Sequence, residues 1–336
     1  MAPDSFIWRD ADRTVVFRRN GVAQAPQVLL EHEFSPFELL STPRALAAAT
    51  ELVGAASAVH EVAPGPVPQL ASELLDAVGS RPLVALGGGR PIDVAKAIAS
   101  TSGARVAAIP TTMSGAEMTG IHRLPAGSDS RATSLVRPAL VIADPVAMTS
   151  QPEADLRAST MNALAHGADS LYTPLANPVS EMMALRGAEL IAGSLDRPRE
   201  ERDPAQLALG SLLCGYAIDS AMFGLHHVIC QTLVRICGSP HAGTNAAILP
   251  RALALLVARA PDRLADLAAA IETDPEDIEA RVLQLGGDPS GLGAIGADRA
   301  KLDQALDSML VRPELAFVPG PLLTKGDLAE LVEGAW

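Results

Sequence analysis

Apolar residues recur with two different periods along the chain, and the change falls near residue 150. In the first half, short apolar runs of strand length alternate with helical stretches. Residues 13–32 (RTVVFRRNGVAQAPQVLLEH) read as a strand, a turn and a short second strand. TPRALAAATELVG (42–54) reads as one helix, with Thr42 as N-cap and Pro43 in the first helical position. HEVAPGPVP (60–68) is extended and LASELLDAVG (70–79) is a second amphipathic helix. RPLVALGGG (81–89) is a buried strand running into glycines, and PIDVAKAIAS (91–100) opens the next helix. RVAAIPTT (105–112) and ALVIADP (139–145) are further strands. Strands alternating with helices predict a parallel sheet covered on both faces.

From about residue 151 the pattern is helical throughout. Helices are predicted over 154–173, 178–195, 205–222, 245–260, 261–271 and 274–286, with no convincing strand. The charged, Pro-punctuated run 196–206 (DRPREERDPAQ) reads as a solvated surface loop. The expected organisation is an α/β dinucleotide-binding domain over residues 1–150 and an all-helical catalytic domain over 151–336, without internal repeats.

Composition narrows the class. The chain has 336 residues, 26 basic and 39 acidic, for a net charge of −13, and 48 % of it is hydrophobic. That is a folded chain able to bury a core, not a disordered one. The acidic balance, with no Lys/Arg-rich run, argues against a nucleic-acid partner. No apolar stretch is long enough for a membrane span, and the start (MAPDSFIWRDADRTVVF) lacks the apolar segment of a signal peptide. Cys214, Cys230 and Cys237 are odd in number, with no CxxC spacing, and read as buried thiols in a reduced cytoplasm.

Four segments can carry chemistry. Gly87-Gly88-Gly89-Arg90-Pro91-Ile92-Asp93-Val94-Ala95-Lys96 sits between a strand and a helix, where glycines admit a pyrophosphate and free N–H groups attract it. A plain strand–helix turn fits the same residues. Ile109 to Thr119, with Thr111, Thr112 and Ser114, gathers hydroxyls at a strand's carboxyl end, where open α/β sheets bind ligands. The bland alternative is a loop that only caps a helix. Asn162 and His166, at i and i+4, share a helical face, although a single histidine there is more often a core residue. The fourth segment carries His226 and His227, and His241 lies 14 positions beyond His227. With His166 they could converge three imidazoles as a metal site or an acid–base group.

These four pieces, in this order, resemble the iron-containing (group III) alcohol dehydrogenase family. The resemblance runs through GGGxxxDxxK, PTTxxSGxE, MNAxAH and the paired histidine segments, and covers nearly the whole chain. Within the family it is nearest to the maleylacetate reductase branch, by Ser41-Thr42-Pro43, by Asn162, by Gly224-Leu225-His226-His227 and by the ending DLAELVEGAW. The resemblance implies a nucleotide-binding α/β domain followed by an all-α domain, the dehydroquinate synthase-like architecture, with the active site between them. It implies NAD or NADP on Ser41, Thr42, Gly87, Gly88, Gly89, Asp93, Lys96, Thr111, Thr112 and Ser114. It implies catalytic roles for His166, His227 and His241, and a homodimer.

The metal-dependent branch of that family uses an aspartate and three histidines. Here the matching positions are Asn162, His166, His227 and His241, so the anionic ligand is missing and no resident metal is expected. Gln231 stands where the family often has a further histidine, and the 118–138 loop departs with His122 and Arg123. The expected substrate is a small oxo-dicarboxylate, with Arg123, Arg186 and Arg235 as candidate carboxylate partners. Three other readings remain: a metal-dependent alcohol dehydrogenase, a sugar-phosphate cyclase and a non-catalytic homologue. Lysines only at 96, 301 and 325 count against the cyclase.

Overall fold

A seven-stranded sheet organises the first half of the chain. In the computed structural model, which describes residues 3–128 and 135–336, β1 (Ser5–Asp10) and β2 (Arg13–Arg18) form an antiparallel hairpin. The strands β3 (Glu38–Ser41), β4 (Ala58–Glu61), β5 (Leu83–Gly87), β6 (Val106–Pro110) and β7 (Leu140–Ala143) run parallel to β2 in the order β1-β2-β7-β6-β5-β3-β4. Strand residues alternate between two cores. Leu39, Val84, Leu86, Ala107, Ile109 and Ile142 face one side, while Leu40, Leu83, Ala85, Val106 and Ala108 face the other. The first core is closed by Ala25, Val28 and Leu29 of α1 (Gly21–Glu31) and by Leu52. The second is closed by two helices further along the chain. This is the sheet burial expected of a doubly covered parallel sheet.

Local details differ from the sequence reading. The second element of 13–32 is α1, a helix and not a strand: Ala25, Val28 and Leu29 recur at helical spacing and are buried. The predicted helix 42–54 is two short ones, α2 (Pro43–Ala47) and α3 (Thr50–Ala55), broken at Ala48 and Ala49. Thr42 is the N-cap of α2, but its hydroxyl makes no capping bond. The second core is closed by α4 (Val67–Leu75) and α5 (Gly89–Ser102). The unit ends with α6 (Pro145–Met148), capped by Asp144. Contacts divide the chain into Met1–Gln151 and Pro152–Trp336.

The second unit is helical throughout. Its helices are α7 (Glu153–Ser170), α8 (Pro178–Leu195), α9 (Pro204–Ala221), α10 (Leu225–Cys237), α11 (His241–Arg259), α12 (Pro261–Ala270), α13 (Ile278–Gly286), α14 (Leu302–Leu310) and α15 (Lys325–Gly334). α7 packs against α8, α9, α10, α11 and α13, and is buried continuously from Ser159 to Ser170. A helix buried all round can keep polar groups only if they are partnered, so its Asn162, His166 and Asp169 are conspicuous. The charged run 196–206 is not wholly solvated: Arg202 is nearly buried and pairs with Glu153 at 2.8 Å. Among the described residues, no single helix is long and apolar enough to cross a membrane. Cys214, Cys230 and Cys237 are free and buried.

Candidate active site

Register brings three strand ends of the first unit together. Ser41 of β3 pairs with Leu86 of β5, and Gly87 pairs with Pro110 of β6. The two loops that follow β5 and β6 are in contact. Thr111 N–H donates to the Gly87 carbonyl at 2.9 Å. A Cβ on Gly88 would lie 2.9 Å from Thr112 Cγ2, and one on Gly89 would lie 3.2 Å from Ser114 Cβ. Glycine is therefore what permits this approach. Helix α5 starts at Gly89 with no side-chain cap, so its first N–H groups stay open to an anion. The cradle fits the pyrophosphate of a dinucleotide.

Two predicted cofactor contacts have other duties here. Ser41 is fully buried, and its hydroxyl donates to the Leu86 carbonyl at 2.7 Å. Lys96 is also fully buried. Its ammonium meets Asp93 at 3.0 Å, the Ala116 carbonyl at 3.0 Å, Thr119 Oγ1 at 3.3 Å and the Ile121 carbonyl at 2.8 Å. A buried ammonium must have its protons satisfied, and Lys96 does this by pinning the second loop to α5. Ser41 and Lys96 thus shape the cradle rather than line it, while Asp93, whose side chain is 32 % exposed, stays accessible beside Lys96. Glu117, between these anchors, is fully buried, and no other side chain hydrogen-bonds its carboxylate among the described residues. Burial pushes its pKa up to about 7, opposed by its own backbone N–H and then by Lys96 and Arg13.

The second unit holds the histidines. Asp169 and Tyr172 project from α7 and its end toward the start of α10, which has no cap of its own. Asp169 Oδ2 accepts from Gly224 N–H at 2.9 Å and His227 N–H at 3.3 Å, and Tyr172 Oη accepts from Leu225 N–H at 2.7 Å. Tyr172 in turn donates to Asp169 Oδ1 at 2.6 Å. A side chain on Gly224 would collide with the Tyr172 ring. Asp169 therefore caps a helix it does not belong to, where the helix dipole favours its charge.

The same carboxylate orients the catalytic candidate. His227 Nδ1 lies 2.8 Å from Asp169 Oδ2. Asp169 has only acceptors when ionised, so Nδ1 carries the proton and Nε2 is left with no hydrogen-bond partner. Burial alone would raise the Asp169 pKa, but the hydrogen bond and charge of His227, with His226 and Tyr172, hold it well below the usual carboxylate range. His166, one turn after Asn162, stacks on His227 at 4.8 Å and 15°. Burial, then the neighbouring histidines, keep His166 neutral at physiological pH.

The adjacent His226 plays a different part. Its Nε2 lies 2.8 Å from Asn245 Oδ1 on α11, and Asn245 Nδ2 donates to the His241 carbonyl at 2.7 Å. Burial first, then His227, brings the His226 pKa down to about 3, so it is a neutral packing link between α10 and α11. His241 itself is exposed, at the first position of α11. The predicted carboxylate partners are dispersed. Arg186 pairs with Glu189 at 2.5 Å on α8, Arg235 donates to Ser308 at 2.6 Å, and Arg123 is exposed on a loop whose residues 129–134 lie outside the described residues.

Sequence reasoning passed over Tyr172 and weighed Asp169 only as a replacement for the missing metal-ligand carboxylate, not as the partner of His227. Asn162, His166 and Asp169 fall at i, i+4 and i+7, one face of a helix, and that spacing was the available signal. A divalent metal fits this donor set poorly. Asn162 offers a neutral amide where a carboxylate would offset the ion's charge, and no three His, Cys, Asp or Glu side chains among the described residues are grouped to hold an ion.

The comparisons with known proteins agree with this fold and these motifs. Residues 14–145 match the family model described as iron-containing alcohol dehydrogenase, and residues 157–308 match the C-terminal model of the same family. The chain belongs to the iron-containing alcohol dehydrogenase family and is an NAD(P)-dependent oxidoreductase. Within that family its relatives are maleylacetate reductases. It is 31 % identical to the one from Rhizobium sp. strain MTP-10005 over 328 residues, covering 92 % of each chain. It is 32 % identical to maleylacetate reductase 1 of Rhodococcus opacus, covering 76 % of this chain and 72 % of that one. The crystal structure of maleylacetate reductase from Agrobacterium tumefaciens superposes with a TM-score of 0.82 at 28 % identity, covering 100 % of this chain and 99 % of the other.

Proposed function

We propose that the protein reduces the conjugated C=C bond of maleylacetate, or a closely related oxo-dicarboxylate, to the saturated 3-oxo acid. The observation that carries this reading is the likeness to maleylacetate reductases along almost the full length of both chains. When bound, NADH or NADPH supplies the hydride. The Gly87–Gly89 turn, the open N-terminus of α5, and Thr111, Thr112 and Ser114 hold its pyrophosphate and ribose. Neither Ser41 nor Thr42 is acidic, so nothing at those positions repels a 2′-phosphate, and both cofactors are accepted.

Hydride delivery to the carbon β to the ketone leaves an enolate that must take up one proton at the α carbon. His227 is the proton donor in this reading, through Nε2. The imidazolium it needs is stabilised by ionised Asp169 across the 2.8 Å bond at Nδ1. His166 stacks flat against that ring and fixes its plane, and exposed His241 supplies protons from solvent. A homodimeric assembly in the cytoplasm belongs to the same proposal and rests on the family resemblance alone.

The test is oxidation of NADH and NADPH by the purified protein with maleylacetate and a panel of aldehydes and ketones. The expected result is turnover of the oxo-dicarboxylate with a saturated 3-oxo product. Turnover of simple aldehydes with none of maleylacetate would overturn it.

A further inference from the structure

A substrate bearing two carboxylates needs a local cation in a chain of net charge −13, and two of the arginines singled out from the sequence, Arg186 and Arg235, are engaged elsewhere. We propose that Arg312, on the segment after α14, grips a carboxylate of the substrate; this rests on the reading of the second unit as an oxo-dicarboxylate site.

Arg312 reaches back onto the helix that carries His227. Its guanidinium carbon lies 5.7 Å from the centre of the Phe223 ring, and the Phe223 ring lies 6.2 Å from that of His227. Arg312 Nη2 is 3.4 Å from Oε1 of Gln231, one turn beyond His227 on the same side of α10. A single aromatic ring thus separates the cation from the proton donor. A short carbon chain ending in a carboxylate spans that gap.

The guanidinium is held, not free to swing. Nε donates to Glu314 Oε2 at 3.0 Å and Nη2 to Glu314 Oε1 at 2.9 Å, and the guanidinium carbon sits over the Phe223 ring. Nη1 donates to no side chain or carbonyl among the described residues, and the side chain is 18 % exposed. The edge formed by Nη1 and the second proton of Nη2 is the fork geometry that matches a carboxylate. Gln231 marks the place: among the described residues its amide oxygen is the acceptor on that edge, at 3.4 Å, and a carboxylate would displace it. Glu314 sets the orientation and lowers the net charge, so the site favours anions by geometry more than by field.

The test separates binding from turnover. Succinate, which cannot be reduced, is titrated into the protein saturated with NADH or NADPH, for the wild type and for Arg312→Gln, Arg312→Lys and Glu314→Gln. Loss of one charged fork is expected to weaken succinate by about tenfold or more in Arg312→Gln. Arg312→Lys should fall between it and the wild type. Glu314→Gln should bind succinate more tightly, because an opposing charge is gone, whereas a merely structural Glu314 would leave it weaker. Cofactor affinity should be unchanged in all of them, and the effect on maleylacetate should appear in KM before kcat. Failure to turn over maleylacetate with succinate binding still dependent on Arg312 would sink the proposed reaction and leave this site standing. No succinate binding in the wild type, or wild-type binding in Arg312→Gln, would overturn the site itself.

Discussion

Asp169 Oδ2 takes three donors at once: the Nδ1–H of His227 at 2.8 Å and the backbone N–H groups of Gly224 and His227. One carboxylate therefore both starts α10 and fixes which nitrogen of His227 faces outward. Asp169→Asn keeps the size but loses the charge and an acceptor, and allows the opposite tautomer at His227. Turnover should drop by about a hundredfold or more. Cofactor affinity should not change. A folded variant with wild-type kcat would show that Asp169 serves only as a cap.

The two adjacent histidines should differ in their effect on turnover. His227→Ala is expected to cut kcat by about a hundredfold, the scale of a lost acid–base group, and to cost about 1–3 kcal/mol as well, because buried Asp169 loses its Nδ1–H donor. His226→Ala removes a buried link to Asn245 and leaves Asn245 Oδ1 without its donor, so it should destabilise by about 1–3 kcal/mol while sparing kcat. Exposed His241→Ala should also slow turnover about a hundredfold without unfolding the protein. Thermal melts beside steady-state kinetics distinguish these outcomes, and equal kinetic losses at 226 and 227 would refute the division of roles.

Much of this was legible in the residues. The strands over 83–87, 106–110 and 140–143 are continuous apolar runs because both faces of a parallel sheet are buried, and such runs read plainly. β3 escaped notice because it is four residues long and opens on Glu38, a buried carboxylate held by His60 at 2.7 Å and by the Gly79 N–H. α1, expected as a short strand, is a helix despite Pro26 inside it, because Ala25, Val28 and Leu29 bury one helical face against the sheet. In the site, His226 and His227 are sequence neighbours. Only tertiary contacts, Asn245 for one and Asp169 for the other, tell the packing residue from the reactive one.

Gly88→Val should abolish cofactor binding in a folded protein. Its Cβ would sit 2.9 Å from Thr112 Cγ2, and the branch would press the two loops apart as well as fill the pyrophosphate's place. Gly88→Ala should already weaken NADH binding markedly. Fluorescence titration with NADH checks both, and an unchanged Kd in a folded Gly88→Val protein would remove the phosphate-cradle assignment.

Glu117 predicts a pH dependence of stability. Its pKa, raised by burial from 4.5 to about 7, means that the folded chain keeps a proton the unfolded chain has lost. Between those values the native state binds more protons, so stability falls as pH rises through the window and levels off above about 7. Asp169 works in the opposite sense but below the window, since its pKa is depressed and its contribution is lost only in strong acid. Glu117→Gln removes the first dependence and should gain on the order of 2 kcal/mol relative to wild type between pH 5 and pH 8. Urea melts at the two pH values give this difference directly, and parallel slopes for both proteins would contradict it.

The metal is the last test, and it follows from a single residue. Zinc and iron sites favour anionic ligands that offset the ion's charge. Asn162 provides a neutral oxygen, and Asp169, two turns along the same face of α7, spends its acceptors on His227, Tyr172 and the start of α10. The purified protein is therefore expected to carry well under one metal per chain and to keep its activity in a chelator. Asn162→Asp restores the missing charge at i−4 from His166 and should raise zinc or iron affinity, read by metal analysis after dialysis against each ion. Stoichiometric metal in the wild type, with activity lost on chelation and regained on adding it back, would place the protein with the metal-dependent alcohol dehydrogenases instead.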